Sequence, residues 1–251
     1  MNTRIVHVTA DNIKDYPQAI CFINPKHPQF HHKMDWLNEQ FKNGLIIKLL
    51  FIEDVKRPVG FIEYVPGEYC WRSVDARGYM FIHCLYTNGK KFQHQGLGQL
   101  LLQEAEKDAQ DMLGVATVTS DAAFMATQHL FIKHDYKLVA ESGKEQLLLK
   151  PFKEGPLPSF NRGMLSPHLD KGWVILYSKQ CPWVARFIDE IQPVLQEKGL
   201  VPKIIELKTP LQAQQAPALY GVFNLIHNGK ILADRYISTT RFANIVEKEL
   251  R

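Results

Sequence analysis

Apolar positions along this chain switch between short continuous runs and helical spacing, and that alternation predicts a mixed α/β protein. Residues 5–8 read as a short strand. Phe30, Met34, Leu37 and Phe41 recur at helical spacing, with Pro28 at the first turn and Gly44 at the stop. Residues 45–52 form a nearly unbroken apolar run, the pattern of a central strand buried on both faces. Further strands are predicted over 59–65, ending at Pro66-Gly67, and over 79–87. Next, Leu97, Leu101, Ala105, Ala109 and Met112 fall on one helical stripe. A strand over 115–119, a helix over 124–134 and a closing pair at 137–139 and 146–149 complete the first half.

Between 151 and 172 the periodicity stops and proline and glycine crowd together, which marks a connector. The pattern then restarts. A strand over 173–177 precedes a helix after Cys181-Pro182 with Val184, Phe187, Ile188 and Ile191 on one face, and Pro193 should kink or end it. A strand over 203–207 follows. Residues 219–226 and 230–237 flank Asn228-Gly229, a strong hairpin signal, and 241–250 close as a helix. Two domains are therefore expected, over 1–151 and 172–251, with a linker over 152–171.

Composition narrows the function classes. Of 251 residues, 45% are apolar and 22% charged, ordinary for a globular protein and unlike a disordered one. A net charge of +4 suits an anionic small ligand and falls short of a nucleic-acid footprint. No apolar run is long enough to span a membrane, and no signal-peptide core opens the chain. Cys21, Cys70, Cys84 and Cys181 are scattered with no C-x-x-C pair, which argues against a disulfide framework or structural zinc and points to a reducing cytoplasm. His27, His31 and His32 lie close in sequence but lack the cysteine or carboxylate partners of a metal site, so no metal is expected.

The stretch Gln93-His94-Gln95-Gly96-Leu97-Gly98 carries the most chemistry. It joins an apolar strand to a long amphipathic helix, so several backbone N–H groups converge where a pyrophosphate could sit. Its Gln-x-x-Gly-x-Gly spacing differs from both the Walker and dinucleotide patterns. It resembles the coenzyme A loop of the GNAT acetyltransferases. The order of elements over about residues 1–150 is similar to that fold, as are Gly60 and the helix end Phe131-Ile132-Lys133-His134-Asp135-Tyr136.

That resemblance implies an acetyl-CoA-dependent N-acetyltransferase whose fourth and fifth strands splay around the pantetheine arm. Backbone groups of Leu85, Tyr86 and Thr87 would pair with the arm, and Gln93, His94, Gln95, Gly96, Leu97 and Gly98 would hold the pyrophosphate. Phe131 would pack on the pantetheine, although it stands where the family commonly has a proton-donating tyrosine. A backbone N–H of the fourth strand would polarise the thioester carbonyl. The acceptor, a small-molecule or peptide amine, must lose a proton before attacking. Glu63, His83 and Cys84 are the candidates for that work. Each has a plainer alternative: Glu63 facing solvent, His83 on a half-exposed strand face, Cys84 as a small packed residue.

In the second domain, the strand, Cys181-Pro182 and helix look like the opening of a thioredoxin fold, and Ala216-Pro217 with the later hairpin is similar to that family's cis-proline region. Val184 stands where redox members carry a second cysteine, so a dithiol cycle is excluded, but a helix-start thiol can still be reactive. The pairing of domains resembles the YoaP-type acetyltransferases. Two alternatives to acetyl transfer remain open: a thiol-dependent redox or sensor protein using Cys181, and a non-catalytic CoA-binding module.

Overall fold

The structure is a computed structural model, described for every residue except 1, 20, 22, 93, 94, 122–125, 127, 162–168 and 170, and for the backbone alone at 18 and 90. It divides into two compact units. Unit 1 comprises Met1–Phe22, Leu37–Cys70 and Val74–Phe160; unit 2 comprises Ile23–Trp36, Trp71–Ser73 and Asn161–Arg251.

Unit 1 is built on strands β1 (Thr3–Val8), β2 (Ile46–Ile52), β3 (Gly60–Pro66), β4 (Val74–Asp75), β5 (Met80–Thr87), β6 (Gly114–Ser120), β7 (Lys137–Ser142), β8 (Glu145–Pro151) and β9 (Ser159–Phe160). Seven of them make one sheet in the order β1-β2-β3-β5-β6-β8-β7, while β4 and β9 pair separately. Every neighbouring pair in the large sheet is antiparallel except β5 and β6. Helix α2 (Leu97–Asp108) buries Leu97, Leu101, Leu102 and Ala105. These pack in one cluster with Ile62 and Tyr64 of β3 and Met80 and Ile82 of β5. Helix α3 (Gln128–Lys133) adds Phe131 to the same cluster. All seven residues of β6 are buried, as its run of small and β-branched side chains requires.

Helix α1 (Gln29–Lys42) departs from its apolar stripe. Phe30, Met34 and Phe41 are only half-buried, whereas Gln29, Lys33, Trp36, Leu37 and Gln40 are buried. The reason lies in unit 2, where the fully buried Lys33 donates to the Gln180 carbonyl at 2.6 Å and lies 4.0 Å over the Trp36 ring. A paired charge can take a core position that hydrophobic spacing would never assign to it.

Unit 2 contains β10 (Trp173–Tyr177), α4 (Pro182–Glu190), α5 (Gln192–Glu197), β11 (Lys203–Glu206), α6 (Pro210–Gln214), β12 (Phe223–His227), β13 (Lys230–Ala233) and α7 (Thr239–Glu249). The sheet order is β11-β10-β12-β13, with β10 and β11 parallel and the other pairs antiparallel. Val184, Phe187 and Ile191 join Phe223, Leu225, Phe242 and Val246 in its core. Pro193 sits at the start of α5, so the predicted break becomes two short helices. Asn228 (φ 47°) and Gly229 (φ 77°) supply the two left-handed positions of the β12–β13 hairpin, whose arms are shorter than their apolar runs. The cis-proline expectation fails: no peptide bond among the described residues is cis. Trans is the lower-energy isomer even before proline, and Asn224 Oδ1 fixes the turn by accepting the Ala218 N–H at 2.8 Å.

Candidate active site

The site begins where two strands part. β5 and β6 pair only through Met80–Val115, Phe81–Ala116 and Ile82–Thr117. The Thr117 hydroxyl donates to the Ile82 carbonyl at 3.2 Å, at the last paired residue. Beyond it β5 continues against β3 alone and β6 against β8 alone. Leu85, Tyr86 and Thr87 therefore use one edge on Ile62, Phe61 and Gly60 and turn the other toward the opening. Gly60 permits this closeness, since a Cβ there would lie 2.9 Å from the Tyr86 carbonyl oxygen and 3.1 Å from Leu101 Cδ1.

The glycine bend ends in α2. Gly96 caps the helix in the left-handed region at φ 76°, and its carbonyl accepts the Leu100 N–H at 3.1 Å. The first-turn amides of a helix have no partner within it, so this end can receive an anion. Among the described residues a Cβ at Gly96 would meet nothing within 4 Å, whereas one at Gly98 would lie 3.3 Å from Leu130 Cδ2 of α3. Open space above the first glycine and close packing beneath the second fit a ligand resting on the bend. Gln95 folds back to donate to the Lys91 carbonyl at 2.7 Å. Gln93 and His94 lie outside the described residues.

Glu63 and His83 come together. Glu63 pairs with Cys84 and Tyr64 with Ile82, so His83 is an extra residue in β5, a β-bulge. His83 Nδ1 lies 3.2 Å from Glu63 Oε1, and both side chains are essentially buried (0% and 1% exposed). The half-exposed and solvent-facing alternatives for these two residues are thus overturned. The bulge is the cause: it aims His83 at Glu63 from the strand that borders the opening. Cys84 is half-buried opposite Glu63. Phe131 is buried, its ring 5.3 Å from that of Tyr136.

Behind the opening, α2 is latched to the sheet by polar groups. The Tyr64 hydroxyl donates to Asp108 at 2.6 Å, and Lys48 bridges Glu104 at 2.7 Å and Asp108 at 2.9 Å. Burial, with the Asp108 carboxylate beside it, pushes the Tyr64 phenol well above its ordinary range. For Asp108, burial works to raise the carboxyl, but the Tyr64 hydroxyl and the Lys48 ammonium overcome it and hold it below the usual value. Lys48 interrupts an apolar strand, and nothing in the sequence pattern flags its partners.

Cys181 caps the N-terminus of α4 in unit 2. Its residue keeps some surface in solvent, yet burial pushes the thiol above its ordinary value. The amides of Val184 and Trp183 and the charges of Lys33 and Arg72 pull the other way and lose. Sequence spacing gave no sign of Lys33 and Arg72, which come from distant segments. Among the described residues no group of three or more His, Cys, Asp or Glu is placed to hold a metal ion. His27 instead accepts the Gln29 N–H through Nδ1 at 3.2 Å. Among the described residues no helix is long and apolar enough to cross a membrane.

Comparison with known proteins bears on this geometry. A curated protein of Bacillus subtilis (strain 168), described as uncharacterized N-acetyltransferase YoaP, is 25% identical over 252 residues, covering 96% of this chain and 97% of its own. Solved structures that resemble the chain include the PaiA N-acetyltransferase of Thermoplasma acidophilum in complex with coenzyme A (16% identity, 60% of this chain and 99% of that one, TM-score 0.43). A GNAT-family acetyltransferase of Staphylococcus aureus Mu50 is 12% identical over 61% of this chain and 100% of its own, with a TM-score of 0.45. The model of the acetyltransferase (GNAT) family matches residues 11–136, half of the sequence, and takes in the parted strands, the buried Glu63–His83 pair and the Gly96 bend. The chain belongs to the acetyltransferase (GNAT) family.

Proposed function

We propose that this chain moves an acetyl group from acetyl-CoA to the amine of a small molecule or peptide, by direct attack while both are bound. The observation that carries the reading is the parting of β5 from β6 after Ile82–Thr117, beside the open Gly96 bend. The free edge of Leu85–Thr87 would take the pantetheine arm as an added strand, and the loop of residues 93–98 would take the diphosphate. A backbone N–H of β5 would polarise the thioester carbonyl, and Cys84, beside the bulge, would contact the acetyl group. Acetyl-CoA supplies the activated acyl group.

The Glu63–His83 pair is the proton acceptor in this reading. An acceptor amine is protonated at neutral pH and must be neutral to attack, and a carboxylate-oriented imidazole is the residue type for that transfer. Phe131 carries no exchangeable proton, so the leaving thiolate is protonated from solvent. The four thiols suit a reducing cytoplasm, where we place the enzyme.

Residues 1–151 would carry the catalytic fold, and the remainder past a linker over 152–171 would be a thioredoxin-like module over 172–251. The β11-β10-β12-β13 order, with one parallel and two antiparallel pairs, supports that likeness. The buried, upshifted Cys181 thiol weighs against redox cycling as the main activity.

Titration calorimetry tests the reading. Wild type should bind acetyl-CoA in the micromolar to millimolar range usual for enzyme substrates, about 1 μM to 1 mM. Gly96→Glu puts an anion and a disfavoured φ at the bend, and should weaken binding by at least about tenfold. Equal binding by both proteins would remove the loop from the site, and turnover over a panel of amines and peptide N-termini would then identify the acceptor.

A further inference from the structure

The face of the unit 1 sheet that carries Glu63 and His83 also carries a band of aromatic rings. Leu50, Ile52, Ile62 and Ile82 pack into the α2 cluster, so strand alternation turns Phe51 and Phe61 to the opposite face. Tyr86 pairs with Phe61 as Cys84 pairs with Glu63, which puts both β5 side chains on that same face. The Phe61 and Tyr86 ring centroids lie 6.5 Å apart, tilted by 50°. On β2, the Phe51 ring meets that of Tyr16 edge-on at 6.3 Å. Phe61 is buried, and Phe51 and Tyr16 are half-buried. Tyr86 differs from all of them. It is 49% exposed, the one exposed residue of β5, and it stands on the stretch that β6 does not pair.

Resting on the acetyl-transfer reading, we propose that Tyr86 determines acceptor specificity, and that the acceptor is a primary amine bearing a neutral aromatic ring. The ring stacks on Tyr86 while the nitrogen faces Glu63 and His83. Alternate residues on one strand face stand about 7 Å apart, so Cys84 and Tyr86 are separated on the scale of an arylethylamine. Seating the ring against Tyr86 and the edge of Phe61 takes apolar surface out of water, and offset or edge-on contact between rings adds to that gain. Charge argues against a diamine. The Arg4 guanidinium lies 4.7 Å over the Phe51 ring, so the far end of the band is already positive and repels a second ammonium. In the transfer itself the neutral amine nitrogen bonds to the acetyl carbon. The C–S bond breaks with its electron pair on the CoA thiolate, and the nitrogen's surplus proton passes to the Glu63–His83 pair.

The test measures kcat/KM of the full chain at saturating acetyl-CoA for phenethylamine, ethylamine and putrescine. Phenethylamine should exceed each of the others by about tenfold or more. Tyr86→Ala should cut the phenethylamine-to-ethylamine ratio by about fivefold or more, whereas Tyr86→Phe, which keeps the ring, should hold it within about twofold. Both acceptors meet the same acetyl-CoA complex, so the ratio divides out any change in its affinity. Equal values for the three amines, a preference for putrescine, or a ratio unmoved in folded Tyr86→Ala overturns the proposal and leaves acetyl transfer standing. A wild type that binds acetyl-CoA but acetylates none of the three overturns it as well. Failure to bind acetyl-CoA at all removes the acetyl-transfer reading and this proposal together. Should Tyr86→Ala not fold, the wild-type ranking of the three amines decides alone.

Discussion

At the scale of single residues, the sequence offered candidate side chains on β3 and β5 but not how they meet. Glu63, His83 and Cys84 were legible as polar or reactive groups on neighbouring strands. Their alternation pattern suggested exposure for the first two, because a strand read at period two cannot reveal an inserted residue. The bulge at His83 breaks that period and brings the two ionisable groups within 3.2 Å. The acetyl-transfer reading makes a specific demand here. Glu63→Gln and His83→Asn should each lower kcat by about 10²–10⁴ while leaving acetyl-CoA affinity within about threefold, and should flatten the acid limb of the pH–rate profile. A loss confined to acetyl-CoA binding would reassign the pair to structure. Lys33 and Arg72 were illegible for a different reason: burial of a cation depends on partners far away in sequence.

Elements fared according to their length. The long strands and α2 came through with boundaries close to those found, since each buries a continuous stripe. The two-residue strands β4 and β9 and the one-and-a-half-turn α6 did not, being too short to show any period. α6 is held by its capping box, in which Thr209 Oγ1 accepts the Gln212 N–H at 3.2 Å and Gln212 reaches back to Thr209. The docking of α2 on the sheet is where element-scale chemistry can be tested. Tyr64→Phe should cost about 1 kcal/mol, the net worth of one hydrogen bond, which corresponds to roughly 2–4 °C in Tm for a chain of this size. The same latch has a pH sign. Because the folded-state Asp108 is held below its unfolded value, its contribution is complete above the ordinary carboxylate range and is lost as pH falls through the folded value. Thermal melts of wild type and Asp108→Asn should therefore converge in acid. Curves that stay parallel from neutral to acid pH would show that the latch contributes nothing.

For the whole molecule, the connector around residue 160 was visible as a composition break, whereas the composition of unit 2 was not. Chain order suggests that everything after the connector stands alone, yet Ile23–Trp36 and Trp71–Ser73 belong to that unit as well. The buried hydroxyl of Ser73 bonds the carbonyls of Gln214 at 2.9 Å and Ala216 at 3.2 Å, and the Ser73 N–H donates to Leu219 at 3.1 Å. Such contacts join residues about 140 apart, which no local pattern encodes. A fragment of residues 161–251 expressed alone should accordingly melt at a lower temperature than unit 2 in the full chain, or fail to melt cooperatively. A fragment as stable as the parent by circular dichroism would show the borrowed segments to be dispensable.

Among the described residues, strand pairing joins β1-β2-β3-β5 to β6-β8-β7 through three residue pairs. So narrow a seam makes the large sheet two blocks where local opening is concerned, each stitched internally by full-length antiparallel ladders and to the other by a few bonds. Native-state hydrogen exchange should resolve these blocks as separate foldons, with the amides flanking Ile82 exchanging first and the ladder centres last. A ligand lying in the gap would bridge them, slowing exchange on both sides at once and turning two opening units into one.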